Sequence, residues 1–273
     1  MTDYLFFLLL GSGAGAIIAI FGLGLLIVHQ ASGVVNFALG ASATWSAYVY
    51  ADLRQGAYPI PIPGLPDHYH FGGGDVGYRW ALLLALLTAA ALGAVLYLLV
   101  FRPLFRGPAL AKVVASIGVV IVIIALIEER FADNAGLRVD PILPREPVTI
   151  ASDLTVPRDG LWLAAIVLLI AAIVWAALRF SRLGLVMRAA AENEKGAVLL
   201  GYSPVFVAGV GFVVATVLTS LVVILASPMI QLSSTVFTFG FLIPALGAVL
   251  LGRFILVWVT VLTGLAIGMV QST

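Results

Sequence analysis

The chain has 273 residues, of which 62% are hydrophobic and only 10% charged, with a mean hydropathy of +1.16. A soluble domain carries roughly 25% charged residues, and a soluble fold of this length cannot hide so much apolar surface, so the composition is that of a membrane protein. The net charge is +1, and the 14 Lys and Arg residues fall in short connections instead of a stripe with interleaved aromatics, which points away from nucleic acid. No cysteine is present, so a disulfide framework and a thiolate metal site are both excluded.

A bilayer core takes about 20 apolar residues in helical form, and charged residues divide the chain into runs of that size. The first, Tyr4 to Val28, has no basic segment ahead of it and is long enough to stay in the bilayer, so it reads as a span and not as a cleaved signal peptide. Further spans are predicted at Val34 to Ala51, Trp80 to Phe101, Val113 to Ile127, Leu161 to Leu178, Val205 to Ala226, Val236 to Leu251 and Phe254 to Val270. These runs are apolar on every face, and a barrel would instead show alternating strands of about ten residues. The expectation is an all-α, polytopic integral membrane protein of about eight transmembrane helices, forming a single transmembrane domain over residues 1–273.

Lys and Arg concentrate in cytoplasmic connections. Arg102 to Lys112 holds three bases and no acid, and Arg179 to Pro204 holds four bases against two acids; both are expected inside. Asp52 to Arg79 has three acids against two bases, and Glu128 to Gly160 seven against four; both are expected outside. The alternation is consistent with an outside N-terminus and with the first two spans forming a tight pair, turning at His29 to Gly33.

Within the second span, Gly33-Val-Val-Asn36-Phe-Ala-Leu-Gly40 places an amide and two glycines in an apolar helix. Such residues are expected to pack against neighbouring helices, cap a helix or face a polar pathway. His29 reads as an interfacial turn residue. His68 and His70 stand two apart, on one side of an extended strand, but a metal site needs three or four ligands, so the reading is a solvated loop. Gly72 to Gly74 lacks the ending of a phosphate loop, and no nucleotide-binding motif occurs in the chain. If ATP drives this protein, another subunit binds it, and no cofactor is expected.

Arg179 to Gly201 is charged and helix-prone in an otherwise buried chain. Val186, Ala190, Asn193, Ala197 and Leu200 recur at helical spacing as a stripe of mostly small residues, with Arg188, Glu192 and Lys195 as a charged ridge beside it. That pattern suits close docking to a partner surface, while the alternative is an amphipathic helix on the inner leaflet anchored by Leu183, Leu185, Val186 and Met187. Gly201-Tyr-Ser-Pro204 is expected to end the helix and turn the chain into the next span.

This segment, with the pattern RxSRLGxxxRAxAENxxxAxLLG, resembles the cytoplasmic loop of the permease subunits of branched-chain amino acid ABC importers. The resemblance extends to GLGLLIVHQASGVVNFALGA from Gly22, with its GxxNFAxG signature, to Arg102-Pro-Leu-Phe-Arg106 and to PALGAVLLGRF from Pro244. Two departures stand out. Leu39 occupies a position where the family often has His, and Arg253 to Gly264 replaces a stretch rich in small residues that permit tight packing. Relatives also usually continue past Thr273, so the chain is expected either to be incomplete or to have its last span completed by a neighbour.

The resemblance implies a permease subunit in the inner membrane of a bacterium, carrying a cytoplasmic coupling helix. Its implied partners are a second homologous permease subunit, two cytoplasmic ABC ATPases and an extracytoplasmic substrate-binding protein. Coupling falls on Arg188, Ala190, Glu192, Asn193 and Gly201. Because the spans carry no fixed charge, a pathway through them offers amides, hydroxyls and backbone dipoles, with Asn36, Ser42, Thr44, Thr216, Thr219 and Ser220 as candidates. The implied solute is a branched-chain amino acid or a related small neutral or zwitterionic molecule. The competing class is a secondary transporter or channel without an ATPase. Proton-coupled carriers keep an acid or His in the membrane, whereas sodium coupling at a broken helix, for which Gly240 and Pro244 mark a place, stays open.

Overall fold

The structure, a computed structural model, describes residues 9–61, 66–70, 76–105, 107–131, 141–144, 147–151, 154–192, 198, 201, 203–230 and 232–272. Helix α1 (Ser12–Ser32) runs through the segment expected to turn, and it stops at Gly33. That residue takes φ 66° and donates its N–H to the His29 carbonyl, a left-handed cap that a residue with a Cβ adopts only with strain. Tyr4 to Leu8 of the first predicted span lie outside the described residues. Helix α2 (Ala38–Arg54) starts where Asn36 Oδ1 accepts the Ala38 N–H at 3.0 Å, satisfying one of the donors that every helix start leaves open.

Helix α3 (Tyr78–Leu96) continues through a π-helical turn, Tyr97–Phe101. Helix α4 (Ala109–Arg130) begins after Pro108 and outruns its predicted span at both ends. Helix α5 (Arg158–Phe180) breaks at Ser181, whose Oγ accepts the Gly184 N–H, and α6 (Arg182–Glu192) follows at once. Helix α7 (Pro204–Ala226) has Pro at its first position and Ser203 Oγ accepting the Phe206 N–H, a regular helix start. The seventh predicted span is a π-helical turn, Val236–Gly240, joined at Phe241 to α8 (Leu242–Leu251). Helix α9 (Val257–Gln271) completes the set.

Five of these segments are long and apolar enough to cross a membrane: Ser12–Ser32, Tyr78–Phe101, Leu110–Arg130, Arg158–Phe180 and Pro204–Ala226. Val236–Leu251 and Val257–Gln271 are shorter apolar helices. The chain is an all-α, multi-pass membrane protein, and the described residues of its connections include two small antiparallel hairpins. In one, β1 (Ala57–Pro59) pairs with β2 (His68–His70) so that Pro59 faces His68; in the other, β3 (Pro147–Ala151) pairs with β4 (Leu154–Pro157).

Burial is inverted relative to a water-soluble bundle. α1 and α2 are buried at nearly every position, whereas α3, α4, α5, α8 and α9 turn Leu99, Val114, Ile121, Leu169, Ile243 and Leu262 outward. Such outward rows of large aliphatics are what lipid requires. α1 packs against α9, α7, α5 and α8, and α2 packs against α7, α3, α4 and the Val236–Gly240 turn. The two central helices touch each other little, because α7 borders both. The expected tight pair of first and second spans is therefore corrected: the connection is short, but Phe212, Ala215 and Thr219 of α7 occupy the core beside both helices.

α1 and α9 approach closely through small residues. A methyl group on Gly15 would stand 2.6 Å from the Leu265 carbonyl oxygen, and one on Gly264 would stand 2.6 Å from Ala19 Cα. Lipid supplies no hydrophobic drive between helices, so close backbone approach of this kind does the packing. Within Arg253 to Gly264 the close approach falls on Gly264, and Gly268, one turn beyond that stretch, continues it, so α9 packs tightly on α1 through these two glycines.

Candidate translocation pathway and coupling segment

The helix ends sort into two groups. At one end His29 stacks on Phe254 with ring centroids 4.2 Å apart, Tyr97 OH donates to the Val205 carbonyl, and Ala31 packs with Val186, Met187 and Val207. Here the turn between α8 and α9 holds Arg253 and Phe254 at φ 52° and 57°, and Gln30 Nε2 donates to the carbonyls of Phe254 and Ile255, both at 3.2 Å. Two successive left-handed residues other than glycine are strained, and α1 is what holds them. Both basic connections emerge at this end. His29 is accordingly a residue of the last turn of α1 and not of a loop.

At the other end Tyr48 OH donates to the Leu232 carbonyl, and the acidic connections meet. His68 Nδ1 lies 2.8 Å from Asp52 Oδ2 and Nε2 lies 2.8 Å from the Arg130 carbonyl oxygen, so one ring ties β2 to the ends of α2 and α4. Arg130 also pairs with Asp67. Phe131 fills the space among them, packing on Tyr48 at 4.6 Å and edge-on to His68 at 5.4 Å. The solvated-loop reading of His68 is corrected: the residue sits in a strand and closes a packed polar cluster, while His70 is exposed. Among the described residues no group of three or more His, Cys, Asp or Glu is placed to hold a metal. A recess of about 320 Å³ lies at this end, lined by Tyr50, Arg54, Tyr78, Pro141 and Ile142.

All six pathway candidates are buried. Asn36 starts α2 as described, and the hydroxyls of Thr44, Thr216 and Thr219 bond back to the carbonyls of Gly40, Phe212 and Ala215 at 2.8 to 2.9 Å. A hydroxyl that returns to its own helix costs little in an apolar interior. They do not share one lining. Thr216 faces Gly93 of α3, Thr219 faces Gly24 of α1, and Ser220 Oγ donates to Ser46 Oγ of α2 at 3.2 Å. Among the described residues Ser42 Oγ meets no hydrogen-bond partner, and the same holds for Thr238 Oγ1 in the Val236–Gly240 turn, which packs on Gly40. Ser46 and Thr238 were missed as candidates. Ser46 lies one turn after Ser42 on α2, a spacing visible in the sequence, whereas nothing local marks Thr238.

The segment expected to couple divides in two. Val186 and Met187 are buried against Ala31 and Val207, so α6 is anchored to the ends of α1 and α7. Leu183 and Leu185 turn outward, next to the exposed Phe180, and the Arg179 guanidinium lies over Trp175 and Phe180. Val186 was expected on a stripe facing a partner; instead it faces the bundle, because its side of α6 is the one turned to Ala31. The backbone of Arg188, Ala190 and Glu192 is helical, their side chains fall outside the described part, and Asn193 lies outside the described residues altogether. Gly201 takes φ 83° and donates to the Val198 carbonyl, so the chain turns there before Ser203 starts α7.

Among curated proteins and among solved structures no match was found. The family model described as "Branched-chain amino acid transport system / permease component" matches residues 7–273. That range takes in the central pair α1 and α2, the α6 anchor and the strained turn before α9, and the chain belongs to this family of permease components.

Proposed function

We propose that the chain is one permease subunit of an ABC importer, providing half of a pathway for a branched-chain amino acid or a related small neutral or zwitterionic solute. The observation that carries this reading is the division of the Arg179–Gly201 segment. Its first turns are packed into the bundle through Val186 and Met187, while Arg188, Ala190 and Glu192 continue the same helix beyond that anchor. A lever needs one end fixed to the spans and one end offered to a motor. With no nucleotide-binding motif in the chain, the motor is a pair of cytoplasmic ATPases. We take the basic end of the bundle as the cytoplasmic one from the distribution of Lys and Arg; in the bacterial inner membrane that the family resemblance implies, the His68 cluster would then face a substrate-binding protein.

The pathway follows α2, α7 and the Val236–Gly240 turn, together with a second homologous permease. Asn36, Ser42, Thr44, Thr216, Thr219 and Ser220 then act in a conformation other than this one, in which helices now joined by Ser46 and Ser220 part. A pathway of hydroxyls and dipoles binds a zwitterion weakly, leaving selectivity to the binding protein. ATP closing the ATPase dimer biases the bundle between two states through α6.

A second reading, an ATPase-independent carrier, draws on the helix break at Phe241 beside the buried Thr238. One experiment separates the two. Reconstituted alone, the chain is expected neither to hydrolyse ATP nor to move leucine, and with its ATPases, second permease and binding protein it is expected to take up leucine only with ATP. Uptake by the chain alone, driven by an ion gradient, would transfer the case to the second reading.

A further inference from the structure

We propose that a groove at the basic end of α3 and α7 binds an anionic phospholipid of the cytoplasmic leaflet, with an acyl chain along the groove and the phosphate on Arg102. The groove encloses about 510 Å³. Its α7 wall runs from Ser203 to Val214, about 16 Å at about 1.5 Å per residue, which is one leaflet of a hydrocarbon core about 30 Å thick.

The site is built by local irregularity. The π-helical turn Tyr97–Phe101 widens α3 at this level, and π turns of this kind recur at functional places. Gly209 faces the Tyr97 ring so closely that a methyl group there would stand 2.9 Å from it. Tyr97 in turn packs on Phe212 and anchors its hydroxyl on the Val205 carbonyl, so the floor is fixed. Leu98 and Phe206 form outward-facing lips, 50% and 66% exposed, and open the groove sideways to lipid.

Arg102 is the one charged residue among the described residues that line the groove. Tyr97 OH donates to the Val205 carbonyl and Ser203 Oγ accepts the Phe206 N–H. Arg102 is exposed, and among the described residues no carboxylate pairs with it. The sequence holds no Asp or Glu between Asp75 and Glu128, so the surrounding connection supplies none either. An apolar slot one leaflet deep, ending at a guanidinium that no carboxylate among the described residues neutralises, complements an acyl chain that ends at a phosphate. The groove opens sideways to lipid between α3 and α7, and lipid binding there does not depend on what is transported.

The test is native mass spectrometry of the purified, delipidated transporter titrated with phosphatidylglycerol or phosphatidylcholine. The wild-type protein should retain phosphatidylglycerol with about fivefold preference, the effect of one cation at a membrane surface. Arg102→Gln should abolish the preference while leaving weak retention of both lipids, and Val210→Trp, which fills the groove, should reduce retention of both. Thermal midpoints of the two variants, matched to wild type, show that each is folded. Equal retention of the two lipids by wild type, a preference that survives Arg102→Gln, or retention indifferent to Val210→Trp each overturns the proposal. So does a disulfide between two copies carrying Leu98→Cys, which would show a second subunit in the groove. The readout involves no turnover, so its failure is distinct from failure of the transport reading.

Discussion

Ser220 Oγ donates to Ser46 Oγ at 3.2 Å and joins α7 to α2 across a fully buried interface. The neighbouring hydroxyls of Thr44, Thr216 and Thr219 are satisfied within their own helices, so they hold under any relative movement of α2 and α7. The serine pair does not. A neutral hydrogen bond contributes on the order of 1 kcal/mol net, enough to favour a closed interface without locking it.

The chain has no cysteine, so Ser46→Cys and Ser220→Cys can be probed against a silent background. With the assembled transporter at rest, a small permeant thiol reagent should react slowly at both positions, and ATP turnover should raise both rates several-fold. Rates indifferent to ATP would remove this interface from the pathway.

The α1–α9 seam predicts an asymmetry among glycines. Gly264→Leu must displace the Ala19 backbone, and overpacking of this kind costs about 1–3 kcal/mol or more. Gly247→Ala meets nothing within 4 Å and should be neutral. Thermal midpoints in detergent, followed by size-exclusion fluorescence, give the comparison; equal midpoints would mean that the seam is not tight.

How far the sequence can be read depends on whether lipid or protein surrounds a residue. Lipid-facing helices such as α4 and α5 must be apolar along their length, and hydropathy finds them within a few residues. α2 is only 17 residues long and carries Ser42, Thr44, Ser46 and Asp52, yet it is central, because protein neighbours and not lipid satisfy it. Which helices touch is not legible in runs that are apolar on every face, and so α7 bordering both α1 and α2 could not be foreseen. Periodicity in α6 proposes a face, but it does not say whether Val186 looks toward a partner or toward Ala31. Closure of the His68 cluster is likewise invisible, since Asp52, His68 and Arg130 are far apart in the chain.

That cluster gives a third prediction. His68→Ala removes a bridge to the buried Asp52 and to the end of α4, and leaving a buried polar group unpartnered costs about 1–3 kcal/mol. His70→Ala, at an exposed position, should be within about 0.5 kcal/mol of wild type. Limited proteolysis in the Ala57–His70 hairpin should accelerate for the first variant alone. Comparable stability and cleavage in both would show that His68 closes nothing.

Orientation is open to direct measurement. In intact cells an impermeant thiol reagent should label Tyr69→Cys, which sits exposed in the β1–β2 hairpin, and should label Gly107→Cys only after the membrane is permeabilised. The opposite pattern would invert the bundle and move α6 to the outside.

The division of α6 makes its two halves separable by mutation. Met187→Ala opens a cavity between α6 and the ends of α1 and α7, and truncating a buried Met costs about 2–5 kcal/mol, so this variant should lower the amount of protein in the membrane. Ala190→Leu combined with Glu192→Lys lies beyond the anchor and should leave abundance unchanged. It should weaken docking of the ATPases through bulk and reversed charge, by about 2–5 kcal/mol if that surface is buried in the complex. Leucine uptake should then collapse while capture of the binding protein persists, and co-purification of the ATPases should fall with uptake. Normal uptake by the Ala190 and Glu192 double variant would make α6 a helix that only lies against the leaflet, held there by Leu183 and Leu185. Loss of that variant from the membrane would instead make the whole segment structural, with no end left over to transmit the stroke.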